Sequence, residues 1–94
     1  MKYIRVKWNH DNSDEPMWIF SEVDTHGREQ RKIECFKNGF CDIASLEMCS
    51  GSTRLSTQKL PKLEDLARDP EFEPAVITKD EFEDVWVKRR YKSS

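Results

Sequence analysis

Bulky apolar and polar residues alternate along the first half of the chain with the two-residue period of β-strands. Residues 2–8 (KYIRVKW) place Ile4 and Val6 on one face and charged residues on the other, which predicts a half-buried strand. Residues 17–25 (MWIFSEVDT) carry apolar side chains on both faces. They predict a second, central strand that is covered on both sides.

The dipeptide Asn38-Gly39 is the most specific local signal, because it tolerates the positive φ angles of a two-residue type I′ turn. It predicts a hairpin between residues 29–37 (EQRKIECFK) and 40–45 (FCDIAS). A short fifth strand is predicted over residues 53–56, after an irregular stretch.

Helical signals are confined to the second half of the chain. Pro61 suits the first position of a helix and predicts a short one near residues 61–68. Thr78 and Glu81 have the spacing of a capping box and predict a C-terminal helix near 79–91. The apolar residues on one face of that helix are Phe82, Val85 and Trp86.

The order of these elements, strands first and helices last, predicts the fold class. It is typical of an α+β domain in which a mainly antiparallel sheet of four or five strands is packed by the C-terminal helix. Neither a linker nor an internal repeat interrupts the sequence, so residues 1–94 are predicted to form a single domain.

Composition narrows the class of function. Apolar residues and charged residues each make up 36% of the 94 residues, and the formal net charge is −2, which argues against a generally basic nucleic-acid binder. The N-terminus lacks the apolar core of a signal peptide, and no run is long enough to span a membrane. We therefore expect a soluble protein of the cytoplasm.

The three cysteines support a reducing compartment. Their number is odd, and their spacing matches no metal motif. A two-residue turn at the hairpin puts Cys35 opposite Asp42, so that Cys35 and Cys41 point to opposite faces of the sheet. The sequence therefore predicts free thiols, buried and unreactive.

The charges are distributed unevenly. Between Glu64 and Asp84 there are nine acidic residues, against Arg68 and Lys79 as the two basic ones. Two interpretations stand: a solvated surface, or a docking face for a basic partner.

Within this stretch, residues 69–74 (DPEFEP) set an aromatic ring between carboxylates in a segment stiffened by two prolines. A stiff segment loses little entropy on binding, so the aromatic ring is a candidate anchor for a protein partner; the alternative is that it pins the loop to the core. The candidate partner-binding residues are Asp69, Glu71, Phe72 and Glu73, with Asp11, Asp14 and Glu15 of the first loop as a second patch.

Residues that could carry chemistry are few. His10 lies in a loop with carboxylates and suggests a general base or a cation site, and together with His26 it could form an acid–base pair. Neither spacing sets a geometry, so we expect structural or solvent-exposed histidines and predict no enzyme, no metal and no cofactor. The aromatic residues that could form a base-stacking platform, although core packing explains them as well, are Trp18, Phe20, Phe36 and Phe40.

Several short motifs resemble an uncharacterised small bacterial domain family over about residues 3–88. The most specific part of the resemblance is residues 63–86. Some members of that family look like immunity proteins of contact-dependent growth-inhibition and other polymorphic toxin systems. The motifs are VKW-x-HD and DEP near the start, GSTRL in the middle, and LEDLARDPEFEPA and ITKDEFEDVW in the tail.

The resemblance implies an immunity protein that occludes a cognate toxin domain, such as a nuclease with a basic cleft. A protein-binding or regulatory module outside toxin biology is the main alternative. Direct nucleic-acid binding and a small nuclease or hydrolase using His10 or His26 are more remote alternatives.

Overall fold

An antiparallel five-stranded sheet and two helices form the part of the chain that the computed structural model describes, residues 1–12, 14–51 and 53–90. This is the predicted α+β fold. The short helix is shorter than predicted. The C-terminal helix begins at the predicted residue and is described as far as Arg90; the last residue of the prediction, Tyr91, lies outside the described residues. The elements are β1 (Lys2–Trp8), β2 (Trp18–Val23), β3 (Glu29–Cys35), β4 (Cys41–Ser45), α1 (Leu63–Leu66), β5 (Phe72–Ile77) and α2 (Lys79–Arg90).

The strands lie in the order β4-β3-β2-β1-β5, so the first four form an antiparallel meander and β2 is central as expected. The fifth strand is β5, which pairs with β1 from Tyr3–Ile77 to Trp8–Phe72. The prediction of a fifth strand over residues 53–56 is wrong. A proline is tolerated in an edge strand, and Pro74 lies at this edge of the sheet.

The hairpin forms at the predicted dipeptide, but its loop has three residues, 37–39, in place of two. Phe36 donates its N–H to the carbonyl of Phe40 (2.9 Å), and Gly39 donates to the carbonyl of Phe36 (3.0 Å) with a φ of 90°. A turn followed by a glycine in the left-handed region is the common three-residue hairpin loop.

This extra residue overturns the cysteine prediction. With three loop residues Cys35 pairs with Cys41 in the β3–β4 register, and a slip of one residue moves a side chain to the other face. The two side chains therefore meet on one face, where they form a disulfide. Cys49 is free and exposed, whereas a buried thiol was predicted.

The main core lies between α2 and the sheet face that carries Tyr3 and Ile33. Phe82 is fully buried, with its ring centroid 5.3 Å from that of Tyr3 and 6.3 Å from that of Trp86. The predicted apolar face of the helix is thus confirmed. The predicted capping box is also present, because Glu81 donates its N–H to Thr78 Oγ1 at 3.1 Å.

The opposite face of the sheet holds the irregular segment 53–60 through buried polar groups. Glu29 is almost completely buried and accepts hydrogen bonds from the Ser21 hydroxyl (2.8 Å) and the Ser56 amide (2.8 Å), and Lys32 lies 3.1 Å from it. These bonds satisfy the buried carboxylate. They also show why residues 53–56 form no strand: the backbone of Ser56 is bound to a side chain of β3 instead of a neighbouring strand.

Gly51 lies where a side chain has no room. Its φ is 55°, and a Cβ atom there would collide with the Asp42 carboxylate. We expect Gly51→Ala to lower the free energy of unfolding by about 1–3 kcal/mol in urea denaturation. Gly27→Ala is the matched control, because Gly27 also has a positive φ but an added Cβ meets Lys59 only at 3.7 Å. Equal losses in the two variants would show that the Asp42 contact has no effect.

Candidate functional site

The two acidic segments singled out in the sequence lie at the same end of the sheet. β1 ends at Trp8 directly beside the start of β5 at Phe72. Beyond this pair, the Asn9 amide donates to the carbonyl of Glu71 at 2.7 Å, and Asn9 Nδ2 donates to Glu73 Oε2 at 2.6 Å. The first loop and the segment before β5 are therefore fastened to each other, although some 60 residues separate them in the chain.

The first loop is closed by His10. Its Nδ1 accepts the Asn12 amide (3.0 Å), so Nε2 carries the proton of the neutral ring and donates to the Pro16 carbonyl (2.8 Å). The ring also packs edge-on against Trp8, with centroids 4.5 Å apart. Asp14 donates its N–H to Asn12 Oδ1 at 2.9 Å. The histidine thus bonds to the backbone of the loop at Asn12 and at Pro16.

The segment before β5 has its own internal bonds. Asp69 Oδ1 accepts the Glu71 amide (2.9 Å), and the Asp69 carbonyl accepts the Phe72 amide (3.0 Å). The Phe72 ring is half-buried, with its centroid 5.8 Å from that of Trp8. Phe72 therefore contacts β1 through Trp8, and the residue stays partly exposed.

These two segments form one surface, which we call the acidic end. All six of its carboxylate residues are exposed to solvent. Lys7, across from Glu73 in the β1–β5 register, is a cation in this part of the sheet. The six residues of the acidic end are Asp11, Asp14, Glu15, Asp69, Glu71 and Glu73.

The acidic stretch 64–84 is not one continuous face. β5 crosses the sheet within it, and six strand residues extend about 20 Å, so the carboxylates of α2 begin at the other end. On α2, Asp84 lies 3.1 Å from Lys88, and Glu83 lies 2.7 Å from Arg31. Only Asp69, Glu71 and Glu73, just before and at the start of β5, therefore contribute to the acidic end.

A second charged cluster, which the sequence analysis missed, fastens α2 to the sheet. Arg31 donates from Nε and Nη2 to Glu22 (both 2.8 Å) and from Nη1 to Glu83 (2.7 Å). Its guanidinium carbon lies 4.8 Å from the ring centroid of Phe82 and 4.9 Å from that of Trp86. Strand alternation puts Arg31 on the same face as two buried β3 residues, and this was the signal available in the sequence.

The same cluster shifts the pKa values of its members. Hydrogen bonds from Arg31 lower the pKa of Glu22, although burial opposes that shift, and they lower the pKa of Glu83 as well. Bonding to Glu22 raises the pKa of Arg31. Burial, followed by the hydrogen bond that its hydroxyl donates to Glu22 (2.9 Å), raises the pKa of Tyr3. These shifts favour the charged forms of Arg31, Glu22 and Glu83 and the neutral form of Tyr3 beneath α2.

The structure does not bring together the residues considered for catalysis. His10 follows the end of β1, whereas His26 lies in the turn after β2, so the two are at opposite ends of an antiparallel strand pair about 20 Å long. Among the residues described, no group of three His, Cys, Asp or Glu side chains is placed to hold a metal ion.

The four aromatic residues considered as a stacking platform do not form one surface. Trp18 and Phe20 stack on the α2 face of β2, with centroids 6.4 Å apart. Phe36 and Phe40 flank the hairpin loop, and Phe40 is 63% exposed. Only the first pair is therefore part of a continuous aromatic surface.

Comparison with known proteins gives one result. A family model described as "Domain of unknown function (DUF6881)" matches residues 2–91, which confirms the resemblance to an uncharacterised domain family. No curated protein and no solved structure matches the chain. In the part of the chain that the structure covers, neither helix has the length and apolar character needed to cross a membrane.

Proposed function

Because the chain belongs to this family of unknown function, we propose its role from its surfaces: it is a binding protein whose acidic end covers a basic surface of another protein. The observation that carries the proposal is the pair of Asn9 hydrogen bonds, which join two acidic segments into one surface. In the fuller form of the proposal the partner is a bacterial toxin domain, which the chain neutralises as an immunity protein.

The acidic end suits a fast and specific encounter. Its two segments are held by hydrogen bonds and by the Trp8–Phe72 contact, so binding costs little ordering entropy. Clustered carboxylates attract a basic surface over a distance and raise the association rate, by about tenfold to a thousandfold in favourable cases. The accessible part of the Phe72 ring then supplies apolar contact that slows dissociation.

The two edge strands of the sheet favour binding through side chains over binding by backbone pairing with a partner strand. On the outer edge of β5, Pro74 has no N–H and the Phe72 amide is bound to the Asp69 carbonyl. On the outer edge of β4, Ile43 exchanges hydrogen bonds with Ser50 through its amide and its carbonyl, both at 2.8 Å. Few backbone groups stay open for a partner strand, so strand addition is a poor mode of binding here.

The proposed mechanism is occlusion, with no bond made or broken in the target. We place the protein in the cytoplasm, where an immunity protein meets its toxin, and assign it neither an enzymatic step nor a cofactor. The alternative proposal is a regulatory module that binds a basic protein outside toxin biology, and it would use the same surface. The identity of the protein encoded beside this chain distinguishes the two.

Charge reversal at the acidic end tests the proposal. We expect Asp14→Lys with Glu71→Lys to slow association with the protein encoded beside this chain about tenfold or more at low salt, while dissociation changes little. Neither side-chain carboxylate forms a hydrogen bond within the described residues, so the fold is not at risk. Stopped-flow association at two salt concentrations measures both the rate and its salt dependence.

The matched control is Glu47→Lys with Glu64→Lys, which changes the net charge by the same amount at exposed positions away from the acidic end. If both double variants associate equally slowly, net charge and not the acidic end controls the encounter. If both associate at the wild-type rate, the interface lies elsewhere. Survival of cells that express the neighbouring protein, with and without this chain, tests the immunity role separately.

A further inference from the structure

A groove of about 380 Å³ lies between α2 and the part of the sheet that the helix leaves uncovered. The sheet supplies its floor through Arg5, Trp18 and Phe20. Ile77 and Val85 add apolar walls at the helix side. This volume falls within the range of about 300–1,000 Å³ that is typical of small-molecule sites, and its lining is aromatic and apolar with a few charged groups.

Two cations, Arg5 in the floor and Lys7 beside it, form no ion pair with the residues that the structure describes. Arg5 and Lys7 lie on the same face of β1, with the guanidinium carbon 5.5 Å and the ammonium nitrogen 5.8 Å from the ring centroid of Trp18. Both are only half-exposed. Across residues 1–12, 14–51 and 53–88 neither side chain forms a hydrogen bond or an ion pair, so within that part of the structure the donors of Arg5 stay available to a ligand.

The two carboxylates of the groove are, in contrast, already engaged. Glu81 Oε1 accepts hydrogen bonds from the amide (3.3 Å) and the hydroxyl (3.2 Å) of Thr78 in the capping box. Asp84 lies 3.1 Å from the ammonium of Lys88, one helical turn further along α2. The hydrogen bonds from Thr78 do not cancel the charge of Glu81, so among the described residues the groove holds one unpaired carboxylate against two unpaired cations, Arg5 and Lys7.

We propose that this groove binds a small planar aromatic carboxylate. The ligand's ring packs against Phe20 and the apolar wall, and its carboxylate takes two hydrogen bonds from the edge of the Arg5 guanidinium. Arg5 is suited to this role because a guanidinium can stack on an aromatic face and still present a planar fork to a carboxylate. Lys7 adds a second positive charge beside it. The groove and the acidic end share no residue, so the two proposals can be tested independently.

The charges around the groove argue against two other ligand classes. A cationic ligand would normally be drawn to the face of Trp18, but Arg5 and Lys7 already occupy that face and repel it. A nucleic acid strand extending from the groove would meet the acidic end, which lies next to Lys7 in the sheet. A compact monoanion avoids both conflicts.

Indole-3-acetate is a probe of the proposed class, and indole-3-acetamide is its neutral match. On titration we expect the acetate to perturb the backbone amide NMR signals of Trp18 and Phe20 and the indole N–H signal of Trp18. We also expect it to bind at least tenfold more tightly than the acetamide. Arg5→Gln should weaken acetate binding tenfold or more. Arg28→Gln, which removes an exposed arginine in the turn between β2 and β3, should leave it unchanged.

Each remaining outcome counts against the proposal: no binding of the acetate up to about 10 mM, equal binding of the two probes, or unchanged affinity in Arg5→Gln. If Arg5→Gln fails to fold, Lys7→Gln decides, with an expected loss of at least threefold and with wild-type affinity as the contrary result. The Asp14→Lys and Glu71→Lys double variant should bind the acetate at least as well as the wild type. Failure of the groove proposal is thus distinguishable from failure of the acidic-end proposal.

Discussion

Phe82→Ala is expected to lower the free energy of unfolding by about 3–5 kcal/mol, the usual loss for removal of a buried aromatic side chain. Phe82 is fully buried between Tyr3 and Trp86, and the Arg31 guanidinium lies 4.8 Å from its ring centroid. Truncation removes these contacts together and leaves a cavity at the centre of the α2–sheet interface. A folded domain typically has a stability of about 5–15 kcal/mol, so this loss is a substantial fraction of the total.

Urea denaturation followed by tryptophan fluorescence measures this loss. Val87→Ala is the control on the same helix, because Val87 is 53% exposed and its truncation should change stability by no more than about 0.5 kcal/mol. Similar midpoints for the two variants would mean that α2 contributes little to the cooperative unit. A changed slope of the unfolding free energy against urea concentration would instead indicate that the helix detaches before the sheet unfolds.

The elements of this fold were predictable because their signals are local. Alternation located β1, apolar residues on both faces located β2, the Asn38-Gly39 dipeptide located β3 and β4, and the capping box at Thr78 located the start of α2. The predictions were wrong where the structure depends on contacts between residues far apart in the sequence, or on one additional residue in a loop. The Asn38-Gly39 signal is compatible with loops of two or three residues, and the choice between them decides whether Cys35 and Cys41 meet.

The fifth strand shows the limit of local signals in another way. Residues 72–77 contain Pro74, which argues against an internal strand but not against an edge strand. Whether the segment sits at an edge depends on its pairing with β1, nearly 70 residues earlier. Nothing in the sequence of residues 72–77 indicates that they pair with β1.

The candidate site was predictable in its residues but not in its geometry. Both acidic patches were identified from composition, yet their contact depends on Asn9, which carries no signal in the sequence. The groove was not predicted, because the alternation of residues 2–8 placed Arg5 and Lys7 on the face of β1 expected to be exposed to solvent. In the structure α2 covers only part of that face, so the same alternation produces a core residue, Tyr3, and two half-buried cations.

Arg31→Met is the second change with a large expected effect, a loss of about 2–4 kcal/mol in the free energy of unfolding. Removing one partner of a buried ion pair usually costs 3–5 kcal/mol, and we expect less because the Arg31 side chain is 20% exposed. Methionine preserves the contact with the Phe82 and Trp86 rings but leaves Glu22 without its cation. Arg28→Met, at an exposed arginine, is the control and should change stability little.

The pH dependence of this loss identifies its cause. In the wild type, Arg31 holds the pKa of Glu22 and Glu83 below the ordinary value of 4.5, so the stabilisation is fully present above pH 4.5 and is lost as pH falls through the folded-state values. In Arg31→Met, Glu22 is buried without a cation, and protonation relieves that cost. The difference in stability between wild type and variant should therefore shrink as pH falls from 7 to 4.

Glu22→Gln in the Arg31→Met background provides the final check. A neutral glutamine needs no cation, so the double variant should recover part of the lost stability at pH 7 and show a weaker pH dependence than the wild type. Urea denaturation of the wild type, Arg31→Met, Glu22→Gln and the double variant between pH 4 and pH 7 completes the double-mutant cycle. A loss that is the same at every pH, and is not reduced by Glu22→Gln, would assign the effect of Arg31 to packing against α2 instead of charge.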